Sequence, residues 1–308
     1  MIFKDLSFLE NLKAKELLKF ISSKRKRKSD KKLFRSNMML NPLNLKHLNK
    51  IDNLPADVIT LNLEDGISKN RKKEALYKIA VFLSNLESSN SFIVVRVNPL
   101  DEGGEEEIKF LNDFSFDAVR VSKIKTPFDI EKALKLISLD KELHISLETK
   151  EAFRDIPSLK IDKRLTAANL GILDLLNSLG LSQSILNLNN PTIDYILSKF
   201  LIDCKIADIY PFSFMYQDYK NTKEFEKWCL KEKEMGYNAK ACLGPAQVEI
   251  ANRVFGFDEK ELKKAKYIVE KFEEMRDKNI NGFMDEKFGF IDEPIYKDAL
   301  LVLEKYGK

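Results

Sequence analysis

Histidine and cysteine are scarce in this chain, with two and three copies in 308 residues. His47 and His144 alone leave little room for a His-based catalytic triad or a His-rich metal site. Cys204, Cys229 and Cys242 lie apart and form no C-x-x-C pair. That argues against a disulfide framework or a cysteine zinc site and for a reduced cytoplasm. No apolar run approaches the roughly 20 residues needed to cross a bilayer, so no membrane partner is expected. The opening MIFKDLSFLENLKAKELL is charged throughout and lacks the apolar centre of a signal peptide. Also missing are the glycine-rich phosphate-binding patterns G-x-G-x-x-G and G-x-x-x-x-G-K-[ST].

What is present reads as a soluble globular protein: 44% of residues are hydrophobic and 32% charged. The length suits one large α/β domain or two medium ones. Residues 1–32 hold eleven Lys/Arg against four Asp/Glu, a local charge of +7 within a net charge of +4. The run KRKRKSDKK, Lys24 to Lys32, reads as a solvated basic arm. Because the rest of the chain is mildly acidic, no nucleic-acid partner is expected.

From Leu33 onward, short apolar runs alternate with longer periodic ones, the signature of repeated β-α units. Strands are expected over 33–40, 57–63, 92–98, 117–123, 142–148, 165–171, 206–210 and 239–243. Helical patterns fall between them at 69–83, 127–137, 191–202 and 223–235, and longer helices follow at 258–277 and 294–306. Eight strands, each followed by a helix or a loop long enough for one, favour a single α/β (β/α)8 TIM barrel. The absent glycine-rich loops count against a doubly wound sheet. The expected organisation is a basic helical N-terminal extension (1–32), a TIM-barrel catalytic domain (33–257) and C-terminal helices forming a lid (258–308).

In such a barrel the polar residues at the carboxyl ends of strands have a purpose, because that rim is where the βα loops assemble a site. The stretch VITLNLEDG (58–66) shows the pattern: apolar and β-branched residues bound for a core, then two adjacent carboxylates. In chain order the strand-end polar residues are Arg35, Glu64, Asp65, Arg96, Asn98, Lys123, Glu148 and Asp174. This mixture of carboxylates and arginines suits a metal ion and an anionic substrate.

The ordered series of motifs resembles the HpcH/HpaI aldolase and citrate lyase beta-subunit-like family. Arg35-Ser36 is similar to its opening Arg-Ser pair, and Leu61-Asn62-Leu63-Glu64-Asp65-Gly66 to its L-D-L-E-D-[AG]. Val95-Arg96-Val97-Asn98 resembles V-R-[VI]-N, and Ser122-Lys123-Ile124-Lys125 resembles P-K-x-E. Leu147-Glu148-Thr149 matches I-E-T, while Gly171-Ile172-Leu173-Asp174 followed by Leu179-Gly180 matches G-x-x-D…LG. Late in the chain GYNAKACLGPAQVEIANRVF resembles the stretch containing G-K-x-x-I-H-P, and Phe290 to Pro294 resembles an [MI]-x-D-x-P motif. The likeness runs from Arg35 to about Leu303.

The resemblance implies a Mg²⁺-dependent carbon–carbon lyase that cleaves or forms a β-hydroxyacyl thioester of the citryl-CoA or malyl-CoA type. The products would be acetyl-CoA and a 2-oxo acid. Glu148 and Asp174 would hold Mg²⁺, which takes oxygen ligands and keeps several waters. Arg96 would grip the substrate carboxylate, since its planar fork fits one. Arg35 would assist Arg96 or pair with Glu64, and Lys123 would help bind substrate. Glu64 would orient Arg96 or a metal-bound water, with Asp65 holding the loop or capping the following helix. Asp292 would be the general acid, reached from a neighbouring subunit's lid, which implies a homo-oligomer (trimer or hexamer). Either CoA or an acyl carrier protein would carry the thioester.

Several positions depart from the family pattern: Asn62 for Asp, Lys125 for Glu and Gly244 for His. An arginine on the helix after the sixth strand has no counterpart in PTIDYILSKF, and the glycine-rich segment after Asn98 is acidic. Two further readings therefore stay open. One is an aldolase on a free hydroxy-oxo acid, and the other a catalytically silent barrel serving as a binding or scaffold protein.

Overall fold

In the computed structural model, which describes residues 1–10, 12–22 and 34–306, eight parallel strands form a barrel. They are β1 (Ser36–Leu40), β2 (Val58–Asn62), β3 (Phe92–Val97), β4 (Ala118–Val121), β5 (Glu142–Leu147), β6 (Leu165–Leu170), β7 (Tyr210–Phe212) and β8 (Lys240–Cys242). The hydrogen-bonded order is β7-β6-β5-β4-β3-β2-β1-β8. A single parallel bridge, Ser213 to Lys240, joins the two ends. There Ser213 N–H donates to the Ala239 carbonyl and Ala241 N–H to the Ser213 carbonyl, both at 3.1 Å.

The strands are buried on both faces, as parallel strands wrapped by helices must be. Alternate residues face inward, and Val58, Phe92, Val94, Ala118, Ala167, Phe212 and Ala239 fill the interior toward the strand starts. The other parity, such as Ile59 and Leu61, joins the large core between barrel and helices. That core includes helix Lys72–Asn85, whose Ala75, Ile79, Phe82 and Leu83 are fully buried.

Residues 1–10 and 12–22 lie on the outside of the barrel but belong to its packing. Leu9 and Leu17 are buried, and Phe3 meets Phe8 and Phe82 edge-on at 5.4 and 5.2 Å. Helix content there is one short turn, Ala14–Leu17, flanked by 3-10 turns. The basic run 24–32 lies outside the described residues.

Strand seven differs from expectation. Instead of 206–210, β7 is Tyr210–Phe212, because helix Pro191–Ile206 runs four residues past the expected 202. Asp208, in the left-handed region at φ 51°, ends the helix and turns the chain into the strand.

By contact the chain divides into two units, Met1–Phe255 and Gly256–Lys308. The second contains helix Glu259–Arg276, an antiparallel hairpin of β9 (Gly282–Asp285) and β10 (Gly289–Asp292), and helix Glu293–Tyr306. Its own small core is built on Ala265, Ile268, Phe272, Ile291 and Ala299. The hairpin was not expected from sequence. No helix among the described residues is long and apolar enough to cross a membrane.

Candidate active site

A cavity of about 520 Å³ opens at the carboxyl ends of the strands in the first unit. Its construction starts at the turn after β2. The Asn62 amide donates to the Asp65 carbonyl at 2.5 Å and accepts from the Glu64 N–H at 3.3 Å. Gly66, at φ 87°, takes the left-handed conformation that lets the turn close. Lys72 Nζ then ties the turn down, donating to the Leu63 and Glu64 carbonyls at 2.6 and 2.7 Å and to Asn98 Oδ1 at 2.8 Å. The result is a Glu64 carboxylate that is only 2% exposed.

Glu64 Oε2 accepts from the Asp65 N–H and pairs with Arg96 Nη2, both at 2.7 Å. Its Oε1 has no hydrogen bond and lies 3.9 Å from Lys123 Nζ. Burial pushes the Glu64 carboxyl up to about 7, with Arg96 pulling it back. Arg96, on β3, is fixed by three partners. Besides Glu64 it reaches Glu148 Oε2 at 3.3 Å, and its Nε donates to Ser122 Oγ at 2.9 Å.

Glu148 follows β5 and is buried. Its Oε1 accepts the Lys123 backbone N–H at 2.8 Å, which is available because Lys123 adopts φ 54°. Burial raises the Glu148 pKa against the pull of Arg96. Behind it stands Gly171, where a Cβ would sit 2.7 Å from both Cβ and Oε2 of Glu148. Only glycine lets the β6 loop run flush against this carboxylate. Three residues on, in the first turn of helix Ile172–Ser178, Asp174 lines the same cavity. Asp174 makes no hydrogen bond or ion pair among the described residues.

Lys123 stands amid these acids. Burial, the largest influence, lowers its pKa, but Glu64, Asp65, Glu148 and Asp174 together hold it above the ordinary lysine value. Its Nζ pairs at 3.9 Å with Glu64 and forms no ion pair with Glu148 or Asp174. The space beside those two carboxylates is therefore open to a cation. Among the described residues no group of three or more His, Cys, Asp or Glu side chains is placed to hold a metal. A hard cation that accepts two carboxylates and fills its shell with water or substrate oxygens is the kind that fits.

The structure thus brings Glu64, Arg96, Lys123, Glu148 and Asp174 together. Arg35 is a correction. It precedes β1, at the amino ends of the strands, and is held by Asp57 through Nε at 2.8 Å and Nη2 at 3.0 Å. The strands run parallel, so the barrel's length separates it from the rim. Asp65 also differs from expectation, since its side chain caps no helix and instead lines the cavity. Asp292 ends β10 in the second unit, where its Oδ1 accepts the Ile295 N–H at 3.3 Å and caps helix Glu293–Tyr306.

Sequence reasoning missed Arg120, Ser146 and Asn169, which line the deeper part of the cavity. Arg120 is 3% exposed, its Nε has no partner, and burial pulls its pKa down to about 9. The signal was a charged residue at mid-strand between Val119 and Val121, on the parity of Ser122.

Comparison with known proteins gives the family of the chain. A family model, HpcH/HpaI aldolase/citrate lyase, matches residues 35–245. A (3S)-malyl-CoA thioesterase of Cereibacter sphaeroides is 26% identical over 242 residues, covering 78% of this chain and 84% of that protein. The citrate lyase subunit beta of Haemophilus influenzae is 27% identical over 270 residues, covering 81% and 88%. Among solved structures, a citrate lyase from Burkholderia xenovorans superposes with a TM-score of 0.77 at 16% identity, covering 89% of this chain and 92% of that one. CitE from Mycobacterium tuberculosis, in complex with magnesium, acetoacetate and coenzyme A, gives 0.71 at 16% identity, covering 90% and 99%. With a matching barrel and a family model spanning most of its length, the chain belongs to the HpcH/HpaI aldolase/citrate lyase family.

Proposed function

We propose that this protein is a Mg²⁺-dependent carbon–carbon lyase. Its substrate would be a β-hydroxyacyl thioester of the citryl or malyl type, cleaved to an acetyl thioester and a 2-oxo acid. The observation that carries the reading is a pair of acids from successive βα loops, Glu148 and Asp174, at one cavity beside Arg96. Glu148 and Asp174 would hold Mg²⁺. Bound there, the ion would draw electron density from the oxygen that becomes the 2-oxo carbonyl.

The remaining work falls to side chains. Arg96 grips the carboxylate of the 2-oxo acid, exchanging part of its contact with Glu64 and Glu148 for the substrate. Glu64 and Ser122 keep the guanidinium aimed into the cavity. Lys123 adds positive charge for the incoming anion at the mouth. As the carbon–carbon bond breaks, the hydroxyl gives its proton to water and becomes the carbonyl, and the enolate left on the acetyl thioester takes a proton from Asp292 of a neighbouring copy in a homo-oligomer. Condensation reverses each step.

The names of the relatives favour one other reading, hydrolysis of a malyl thioester without carbon–carbon cleavage. Product analysis separates the two. Incubation with malyl-CoA or citryl-CoA and Mg²⁺ is expected to give acetyl-CoA and a 2-oxo acid, and Glu148→Gln and Asp174→Asn are expected to abolish it. Free CoA with an intact hydroxy acid would establish the hydrolase instead. Unchanged turnover in both variants would remove the metal assignment. Tight Mg²⁺-dependent binding with no turnover would make the barrel a binding protein.

A further inference from the structure

The cavity does not end at the carboxylates. Arg120, Ser146 and Asn169 sit on β4, β5 and β6 within the strands, whereas Glu148 and Asp174 lie beyond the strand ends. At about 3.3 Å of rise per residue, this second group stands roughly one side-chain layer deeper in the barrel. Its chemistry is one-sided. Arg120 is a guanidinium that is 3% exposed, and its Nε has no partner. No carboxylate among the described residues pairs with it, while Arg96 beside it is already paired with two.

Asn169 is 6% exposed and its Nδ2 likewise has no partner. Its orientation follows from a buried relay. Thr60 Oγ1 donates to Asn37 Oδ1 at 2.7 Å, and Asn37 Nδ2 donates to Asn169 Oδ1 at 2.8 Å. The amide N–H groups of Asn169 remain as donors without an acceptor. A buried cation and a buried amide left unpaired at the floor of one cavity are costly unless something anionic fills the space between them.

We propose that Arg120 and Asn169 form a second anion subsite, which takes the distal carboxylate of a 2-oxo dicarboxylic acid while Arg96 holds the first. The inference rests on the lyase reading above and narrows its substrate. Val95↔Val119, Arg96↔Arg120 and Val97↔Val121 are register partners on adjacent strands. The two side chains therefore leave adjacent strands about 4.8 Å apart and on the same face, so that one short diacid can reach both. Ser146, the register partner of Asn169, adds a hydroxyl to the same floor.

Titration calorimetry in Mg²⁺ with oxaloacetate and with pyruvate tests this, since the acids differ by one carboxylate. The wild type is expected to prefer the dicarboxylate by about 10- to 100-fold, the scale of hydrogen bonds to a charged group. Arg120→Met should erase that preference by weakening oxaloacetate far more than pyruvate, and Asn169→Leu should reduce it. Arg120→Lys, which keeps the charge, should retain part of it and stands in if Arg120→Met does not fold.

A preference unaltered by Arg120→Met and Asn169→Leu, or an equal loss for both acids, overturns the subsite and leaves the lyase reading intact. Failure of both acids to bind the wild type, or full binding by Glu148→Gln, overturns the lyase reading itself and the subsite with it. Chloride separates a substrate carboxylate from a resident inorganic anion. Weakened oxaloacetate binding alone supports the proposal. Tighter pyruvate binding in chloride, lost in Arg120→Met, makes the floor a resident-anion site and overturns it.

Discussion

Gly171→Ala puts the construction of the metal-side carboxylate to a direct test. The added methyl would sit 2.7 Å from Glu148 Cβ and 2.7 Å from its Oε2. The Oε2 contact alone could be relieved by a rotation of the side chain. Cβ is rooted in the backbone of β5, so the contact there forces the β6 loop and the end of β5 apart. Overpacking of a well-filled site costs about 1–3 kcal/mol. For a unit of this size that lowers the melting temperature by roughly 2–12 °C.

The movement also displaces Glu148 relative to Asp174, three residues along the same loop. A misplacement of about 1 Å in such a site costs on the order of 100-fold. Mg²⁺ bound as proposed would stabilise the wild type by mass action, by about 2.7 kcal/mol at 100 times its dissociation constant, and the variant should lose most of that gain. Melting in EDTA and in Mg²⁺ reads both effects. Gly244→Ala is the control, because no atom lies within 4 Å of its Cβ and its φ of −161° suits any residue. Should Gly171→Ala melt with the wild type and keep the full Mg²⁺ shift, the close approach of loop and carboxylate is wrong.

Three further outcomes are expected. Lys240→Met leaves Glu232 buried without its 2.5 Å partner and should cost about 3–5 kcal/mol in urea unfolding; adding Glu232→Leu should recover most of it, and a double variant no better than the single would refute the pairing. Glu74 is held at about 2 by Arg71 and Lys78, below its ordinary 4.5. Its contribution is therefore present above the unfolded value and lost as pH falls toward 2. Because the side chains are partly solvated this amounts to no more than about 1 kcal/mol, so the urea midpoint of Glu74→Gln should fall less steeply than wild type between those pH values. Lastly, co-refolded Asp292→Asn and Glu148→Gln subunits should regain lyase activity that neither variant has alone, whereas inactive mixtures would confine Asp292 to its own copy or to a capping role.

Most of the barrel was readable from sequence because its strands are short apolar runs between periodic helices, and seven of the eight fell within the expected spans. Strand seven failed for a specific reason. Ile206-Ala207-Asp208-Ile209-Tyr210 has the β-branched and aromatic residues of a strand, yet Ile206 is the last residue of a helix that starts at Pro191, and the ladder to β6 begins only with Tyr210. Propensity misled where helix continuity prevailed. At the site, residues following a strand were found because motifs and strand ends coincide there. Arg120, Ser146 and Asn169 were not, because choosing them requires knowing which parity faces inward. Arg35 was misplaced by the converse error: a polar residue flanking β1 was taken for its carboxyl end when it stands before its first residue.

The departures from the family pattern have distinct structural meanings. Lys125 is exposed and only its backbone N–H is engaged, by Asp129 at 3.0 Å, so the charge reversal there leaves the cavity untouched. Gly244 has open space where a side chain would stand. Asn62 is different, because it uses both ends of its amide, one as donor to the Asp65 carbonyl and one as acceptor from Glu64. An ionised aspartate could not donate, so this chain exchanges a negative charge for a clamp on the turn that carries Glu64. Losing an anion at position 62 and carrying a buried cation at 120 both move the cavity's potential in the positive direction. The departure at 62 and the cation at 120, on different strands, thus have the same electrostatic sense, as a site built for a more highly charged acid requires.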